Sequence, residues 1–357
     1  MKFLLALSAL TVTIPAIAQD AEEPATPGSI LASASADEWR QIAPADLLVM
    51  QLAPEPAGKP RTVVIQLAPE PFSQPWVENI RILARARWWD GTSVYRVQDN
   101  YVTQWGDVTE EKPLPEGVAS PLVSFETTGL LEISDPRGRP RINYTLGMAM
   151  VRNAMIAARG SIDWQGQIAA KLSGADENFD LATPPTPNLG DRYSAVATHV
   201  AGWPIAGEWG GPTNPANSFW PIHCYGYIGV ARDYAPDTGT GAELYTIIGQ
   251  PQRHMDRNLA VVGRVIKGME HLSSLPRGSG ELGFYTEEEA GLRTPIMSVR
   301  LASELDNPPA FEYLDTASNT FARYITVRAN RDDAFYTKPA GGVDVCNVQV
   351  PVRSAID

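Results

Sequence analysis

The sequence is poor in the residues that most often carry metal or thiol chemistry. Of 357 residues only two are cysteine and four are histidine. His199, His223, His254 and His271 are scattered, with neither His-x-His nor i,i+4 spacing, so no metal site is expected. His223-Cys224 is a tempting pair, but a nucleophile needs a third, orienting group and no pattern supplies one. A buried structural pair is the better reading. No Gly-x-Gly-x-x-Gly or P-loop is present, so no nucleotide cofactor is implied. Positive charge is in deficit: 29 Lys and Arg against 41 Asp and Glu give a net charge of −12. Such a surface repels phosphate backbones, which argues against nucleic acid as a partner. Beyond the first residues, no apolar run approaches the length of a membrane span.

What is present is the make-up of a packed protein. Hydrophobic residues account for 44% of the chain and include nine tryptophans, too many for a disordered polypeptide. Thirty prolines and 29 glycines predict turns and long loops rather than a helical bundle. Met1-Lys2, the apolar stretch from Phe3 to Ile14, and Ala16-Ile17-Ala18 before Gln19 fit a signal peptide, residues 1–18, cleaved after Ala18. A periplasmic or secreted protein is therefore expected, in an oxidising compartment. There Cys224 and Cys346 could form one disulfide or remain two buried thiols, and spacing leaves both open. Residues 19–36, rich in Ala, Pro, Glu and Ser, read as a flexible N-terminus.

Further on, residues 47–52 and 62–67 are β-branched or alternating and predict a hairpin. Residues 76–88 place Val77, Ile80, Leu83 and Ala84 at helical spacing behind Pro75, ending at Asp90-Gly91. Strands are predicted at 93–97 and 101–104. Residues from about 109 to 219 read as a mixed insertion with Pro-rich turns and helical content at 147–158 and 164–172. Strands resume at 225–231, 244–248, 259–265 and 296–301, with a short helix at 267–275. Residues 306–357 form a C-terminal extension, helical at 318–329 and strand-like at 343–352. The layout is mainly β with few helices.

Particular residues go further. Val63-Val64-Ile65-Gln66-Leu67-Ala68-Pro69, Val77-Glu78-Asn79-Ile80, Tyr95-Arg96-Val97 and Gln104-Trp105-Gly106-Asp107 resemble the cyclophilin family. The likeness resumes at Gly226 to Arg232, Leu244-Tyr245, Met255-Asp256 and Val262-Gly263-Arg264-Val265, in the family's order. The resemblance implies a closed eight-stranded antiparallel barrel capped by two helices, over 37–305 and interrupted by the insertion. It implies peptidyl-prolyl cis–trans isomerase activity on proline-containing polypeptides, without a cofactor, and a monomer is expected. Arg96 stands at the family's catalytic arginine, although an isolated arginine is usually a surface or ion-paired one. Tyr101, Val102, Tyr245, Met255 and Leu259 stand at positions that line the proline pocket, although alternation alone would make Tyr101, Tyr245 and Met255 core, and Gln104 matches the family's glutamine that binds peptide backbone.

Three departures stand out. Trp105 replaces a glycine and Val262 a phenylalanine. Glu243 replaces a peptide-binding amide and reads as a rim or solvated charge, since the reaction needs no proton transfer. They leave room for an alternative, a catalytically weak module that binds proline-containing segments of an envelope partner.

Overall fold

The computed structural model describes residues 24–121, 191–207 and 219–355, apart from 195, 332, 339 and 341. The expected signal peptide and the helical content at 147–158 and 164–172 lie outside the described residues. Residues 24–36 are not the flexible lead-in that their composition suggested. Thr26 caps helix α1, Pro27–Ala32, by accepting from the Ser29 amide, and Ile30 is buried. Strand β1, Trp39–Gln41, follows, then β2, Leu47–Leu52, and β3, Arg61–Leu67, as the predicted hairpin.

Helix α2, Gln74–Arg85, buries Val77, Ile80, Leu83 and Ala84, the stripe its spacing predicted, and Trp76 with them. It stops short of residue 88 because the chain turns at Arg87, which adopts a positive φ of 55°. Strands β4, Ser93–Val97, and β5, Val102–Gly106, come next. From the insertion, β6, Val196–Val200, β7, Trp203–Gly207, and β8, Phe219–Pro221, form a small antiparallel sheet. Strands β9, Tyr227–Val230, β10, Leu244–Ile247, β11, Val261–Lys267, and β12, Thr294–Leu301, complete a closed barrel in the order β10-β5-β4-β12-β2-β3-β11-β9. All its pairings are antiparallel. The second cap is a single turn, Glu270–Ser273, shorter than predicted. Among the described residues, no helix is long and apolar enough to cross a membrane.

The C-terminal extension wraps back onto the start of the chain. Strand β13, Phe311–Leu314, lies between β1 and β14, Val352–Ser354. The expected strand over 343–352 is instead mostly irregular. Asp344 caps a short turn, Val345–Asn347, that delivers Cys346 to Cys224, and the two form a disulfide spanning 122 residues of sequence. The helix Asn319–Ala329 begins on Ser318, which caps Phe321.

His199 on β6 ties the insertion to this extension. It is fully buried, packs edge-on against Phe321, and donates from Nε2 to the Val348 carbonyl at 2.8 Å. Burial lowers its pKa to about 4. Between that value and the ordinary imidazole range the unfolded chain binds the extra proton, so stability falls as pH drops through this window. We expect wild type to lose on the order of 3 kcal/mol from this group between pH 7 and pH 4. In His199→Asn, which keeps an N–H but does not titrate, that part of the loss should vanish. Urea unfolding at several pH values checks this.

Candidate active site

The site forms where β4 and β5 meet. Their register shifts between Val94, opposite Trp105, and Arg96, opposite Gln104, leaving Tyr95 as the extra residue of a bulge. A bulge breaks the alternation of faces and re-aims side chains. Tyr95 and Arg96, consecutive in sequence, therefore both reach Gln104 and both line one cavity of about 660 Å³. On its other side β4 pairs with β12 only at Ser93 and Val94. Residues 278–285 lie along the rest of β4, with Tyr285 donating to the Tyr95 carbonyl.

Arg96 is half-buried and fixed from three directions. Nε donates to the Leu282 carbonyl at 2.7 Å, Nη1 to Gln104 Oε1 at 3.0 Å and Nη2 to Gln98 Oε1 at 2.7 Å. Its charge also lies 5.1 Å from the centre of the Phe284 ring and 5.7 Å from that of Tyr101. Burial lowers its pKa from the ordinary value, with Tyr101 and Tyr95 acting the other way. An arginine carries five N–H donors, so two are left beyond these three bonds.

Beside the guanidinium, Val102, Tyr245, Ile247 and Met255 make an apolar cluster separate from the main core, flanked by Tyr101, Ala231 and Leu259. All eight residues singled out from the sequence, Arg96, Tyr101, Val102, Gln104, Glu243, Tyr245, Met255 and Leu259, line the one cavity. The phenol of Tyr245 faces away from it, into a buried polar chain. It meets His223 Nε2 at 2.9 Å, and His223 Nδ1 donates to Asp256 at 2.8 Å. Arg253 bridges Asp256 to Asp191 of the insertion with bonds of 2.6–2.8 Å. His223 is thus structural, as its pairing with Cys224 suggested. The close approach of the phenol to β9 needs Gly229, where a Cβ would sit 2.2 Å from the hydroxyl.

Glu243 is not the solvated rim charge expected of it. It accepts from the Tyr95 hydroxyl at 2.6 Å and from the Asp107 amide at 2.8 Å. Burial pushes its carboxyl up to about 7, against these hydrogen bonds and with help from the charges of Asp107 and Glu110. The loop before it is pinned by the Trp76 indole on Thr238 and Gly239, Asn79 on Thr240, and the Trp89 indole on Ala242. Tyr95, Leu282 and Phe284 are site residues that sequence reasoning missed. Strict strand alternation places consecutive residues on opposite faces, and only the bulge brings Tyr95 round to the side of Arg96.

This arrangement agrees with sequence comparison. The family described as cyclophilin type peptidyl-prolyl cis-trans isomerase/CLD matches residues 58–290, well over half of the chain. The chain belongs to this family. The structure of the cyclophilin AquaCyp293 from Hirschia baltica is similar in fold, with a TM-score of 0.56 at 19% identity over 94% of this chain and 100% of that one. A cyclophilin type peptidyl-prolyl cis-trans isomerase from Cryptosporidium parvum, solved in the presence of the dipeptide Ala-Pro, aligns at a TM-score of 0.33 and 10% identity, over 71% of this chain and 98% of that one. No curated protein matches the chain in sequence. Within the cyclophilin frame, Trp105 points into the barrel core, where it is 1% exposed, and the cavity stays open beside it.

Removing the Tyr245 hydroxyl should leave the cavity's apolar wall but orphan His223 Nε2. Tyr245→Phe is expected to lose about 1–2 kcal/mol of stability in chemical unfolding. A second change, His223→Leu in the Phe background, should cost much less than His223→Leu alone, because the two groups are coupled.

Proposed function

We propose that this cyclophilin isomerises Xaa-Pro bonds in polypeptides exported across the inner membrane, with Arg96 acting on the prolyl amide. The observation that carries the reading is a guanidinium held by three neutral oxygens at the edge of an apolar pocket, with donors left over. Rotation about the bond meets a barrier of ~18–20 kcal/mol set by amide resonance. No covalent chemistry is needed, only better binding of the twisted amide than of either planar form.

The apolar cluster of Tyr101, Val102, Tyr245, Met255 and Leu259 would take the pyrrolidine ring. Arg96 would then donate to the prolyl nitrogen, whose lone pair becomes available only as the bond twists out of plane. That preference for the twisted state lowers the barrier as a preorganised electrostatic effect. Gln104 Nε2 carries a second hydrogen for the peptide backbone besides the one given to Tyr95. The signal-peptide pattern of residues 1–18 and the Cys224–Cys346 disulfide support an oxidising destination. Slow uncatalysed isomerisation, tens of seconds or more, gives such an enzyme work among newly exported chains.

Exchange NMR on a short blocked Ala-Pro peptide tests the central assignment. Arg96→Ala should lower kcat/KM by about 10²-fold with an unchanged melting curve. Arg96→Lys should not restore it, since an ammonium lacks the planar fork. Full activity in Arg96→Ala would overturn the assignment. In the host, mass spectrometry of the envelope protein should find Gln19 as its first residue, and an intact Met1 would count against export.

A further inference from the structure

The polar contacts behind Arg96 run in one direction. Arginine can only donate, so Gln104 must present its carbonyl oxygen to Nη1. Its amide nitrogen is then left to donate to the Tyr95 hydroxyl at 2.7 Å. That hydroxyl, already accepting, spends its own proton on Glu243 Oε2. The other oxygen of Glu243 accepts from the Asp107 amide. An ionised carboxylate, acceptor on both oxygens, is the group that satisfies two donors arriving from opposite sides. Space is kept for it by Gly106, at φ 150°, where a Cβ would lie 1.9 Å from Glu243 Oε2.

We propose that Glu243 is a positioning residue of the isomerase: as a carboxylate it holds Tyr95 and Gln104 in the orientation that fixes Arg96, so turnover follows the ionised fraction of Glu243. The proposal rests on the reading of Arg96 given above. Protonation has two outcomes, and both loosen the chain. A neutral carboxyl accepts more weakly from Tyr95. If it donates to Tyr95 instead, Tyr95 must donate to Gln104, whose amide turns over and brings its N–H₂ against the guanidinium. An amide at position 243 meets the same difficulty, since its one oxygen cannot serve both donors.

The charged and titratable groups around Glu243 come from three segments that line the cavity. They are Tyr95 and Arg96 on β4; Asp107, Glu110 and Lys112 after β5; and Arg232, Asp233 and Asp237 ahead of β10. Burial, with Asp107 and Glu110, places the carboxyl's titration near pH 7. His254 stacks on Tyr101, which lines the cavity, and a His254→Gln variant serves as the control.

The test is kcat/KM for a blocked Ala-Pro peptide, which has no titrating group, by exchange NMR from pH 5.5 to 8.5. Wild type and His254→Gln should rise roughly five- to ten-fold between pH 6 and pH 8 and then level off. Glu243→Gln and Tyr95→Phe should be flat across the range, about ten-fold below the wild-type plateau, with melting curves showing that both fold. In wild type alone, the Glu243 carboxyl carbon shift should titrate with the same midpoint as activity. A retained pH rise in Glu243→Gln, or a carboxyl midpoint well away from that of activity, would overturn the proposal. A flat wild-type profile with activity abolished in Arg96→Ala would sink the relay and spare the arginine. Folded wild type inactive at every pH would remove the reading of Arg96, and this proposal with it.

Discussion

A guanidinium that is to act on a neutral amide has to be held in place without being neutralised. Among the described residues, Arg96 makes no ion pair. Its partners are the Leu282 carbonyl and the side-chain amides of Gln98 and Gln104. Neutral oxygens orient the fork without neutralising it, which the proposed role on the prolyl amide requires, whereas a carboxylate at contact distance would compete with the peptide. Much of the local architecture follows. The bulge at Tyr95 turns two neighbours toward one cavity, and the short β4–β12 pairing leaves room for residues 278–285 to supply a carbonyl.

The barrel was legible because its signals are local. The stripe on α2 and the β-branched runs of β2 and β3 read directly as elements, and the family's short motifs placed Arg96, Gln104 and Tyr245 beside one another. What was not legible depends on contacts between distant segments. Glu243 could not be distinguished from a solvated acid without knowing that Gly106 opposite it lacks a Cβ and that Tyr95 is turned by a bulge. Whether Cys224 meets Cys346 depended on an extension whose strand-like alternation at 343–352 was misleading. Asp344 diverts that segment into a turn, and the sheet forms a few residues later. Helix α1 was missed because its composition looks disordered. A good cap and one buried isoleucine outweigh that in a short segment.

The segments added to the barrel are joined to it by buried charge as well as by apolar packing. Asp191 of the insertion meets Arg253 in a bidentate pair that continues through Asp256 and His223 to Tyr245 in the pocket wall. Arg264 on β11 donates to Gln66 and to the Gly202 carbonyl in the β6–β7 turn. Breaking one partner of such a pair leaves an uncompensated buried charge, so these contacts fix where the insertion docks.

Two carboxylates near this pocket are buried in opposite ways. Burial pushes Asp191 up, but the hydrogen bonds and charge of Arg253 hold it below the usual carboxylate range. It therefore adds stability that is present at neutral pH and lost as the pH falls through its lowered pKa. Among the described residues Glu243 has hydrogen bonds but no ion-pair partner, and its pKa is raised. The folded chain holds its extra proton between the ordinary carboxylate value and about 7, so stability declines as pH climbs through that window and the ionised form is the costly one. Optimising stability alone would give Glu243 an arginine of its own or an apolar replacement. Arg96 is instead kept two side chains away, behind Tyr95 and Gln104, which in the proposed mechanism preserves its charge for the peptide at the expense of the carboxylate. A titrating, poorly compensated acid behind the guanidinium is the mark of a site shaped by what it does rather than by how firmly it folds.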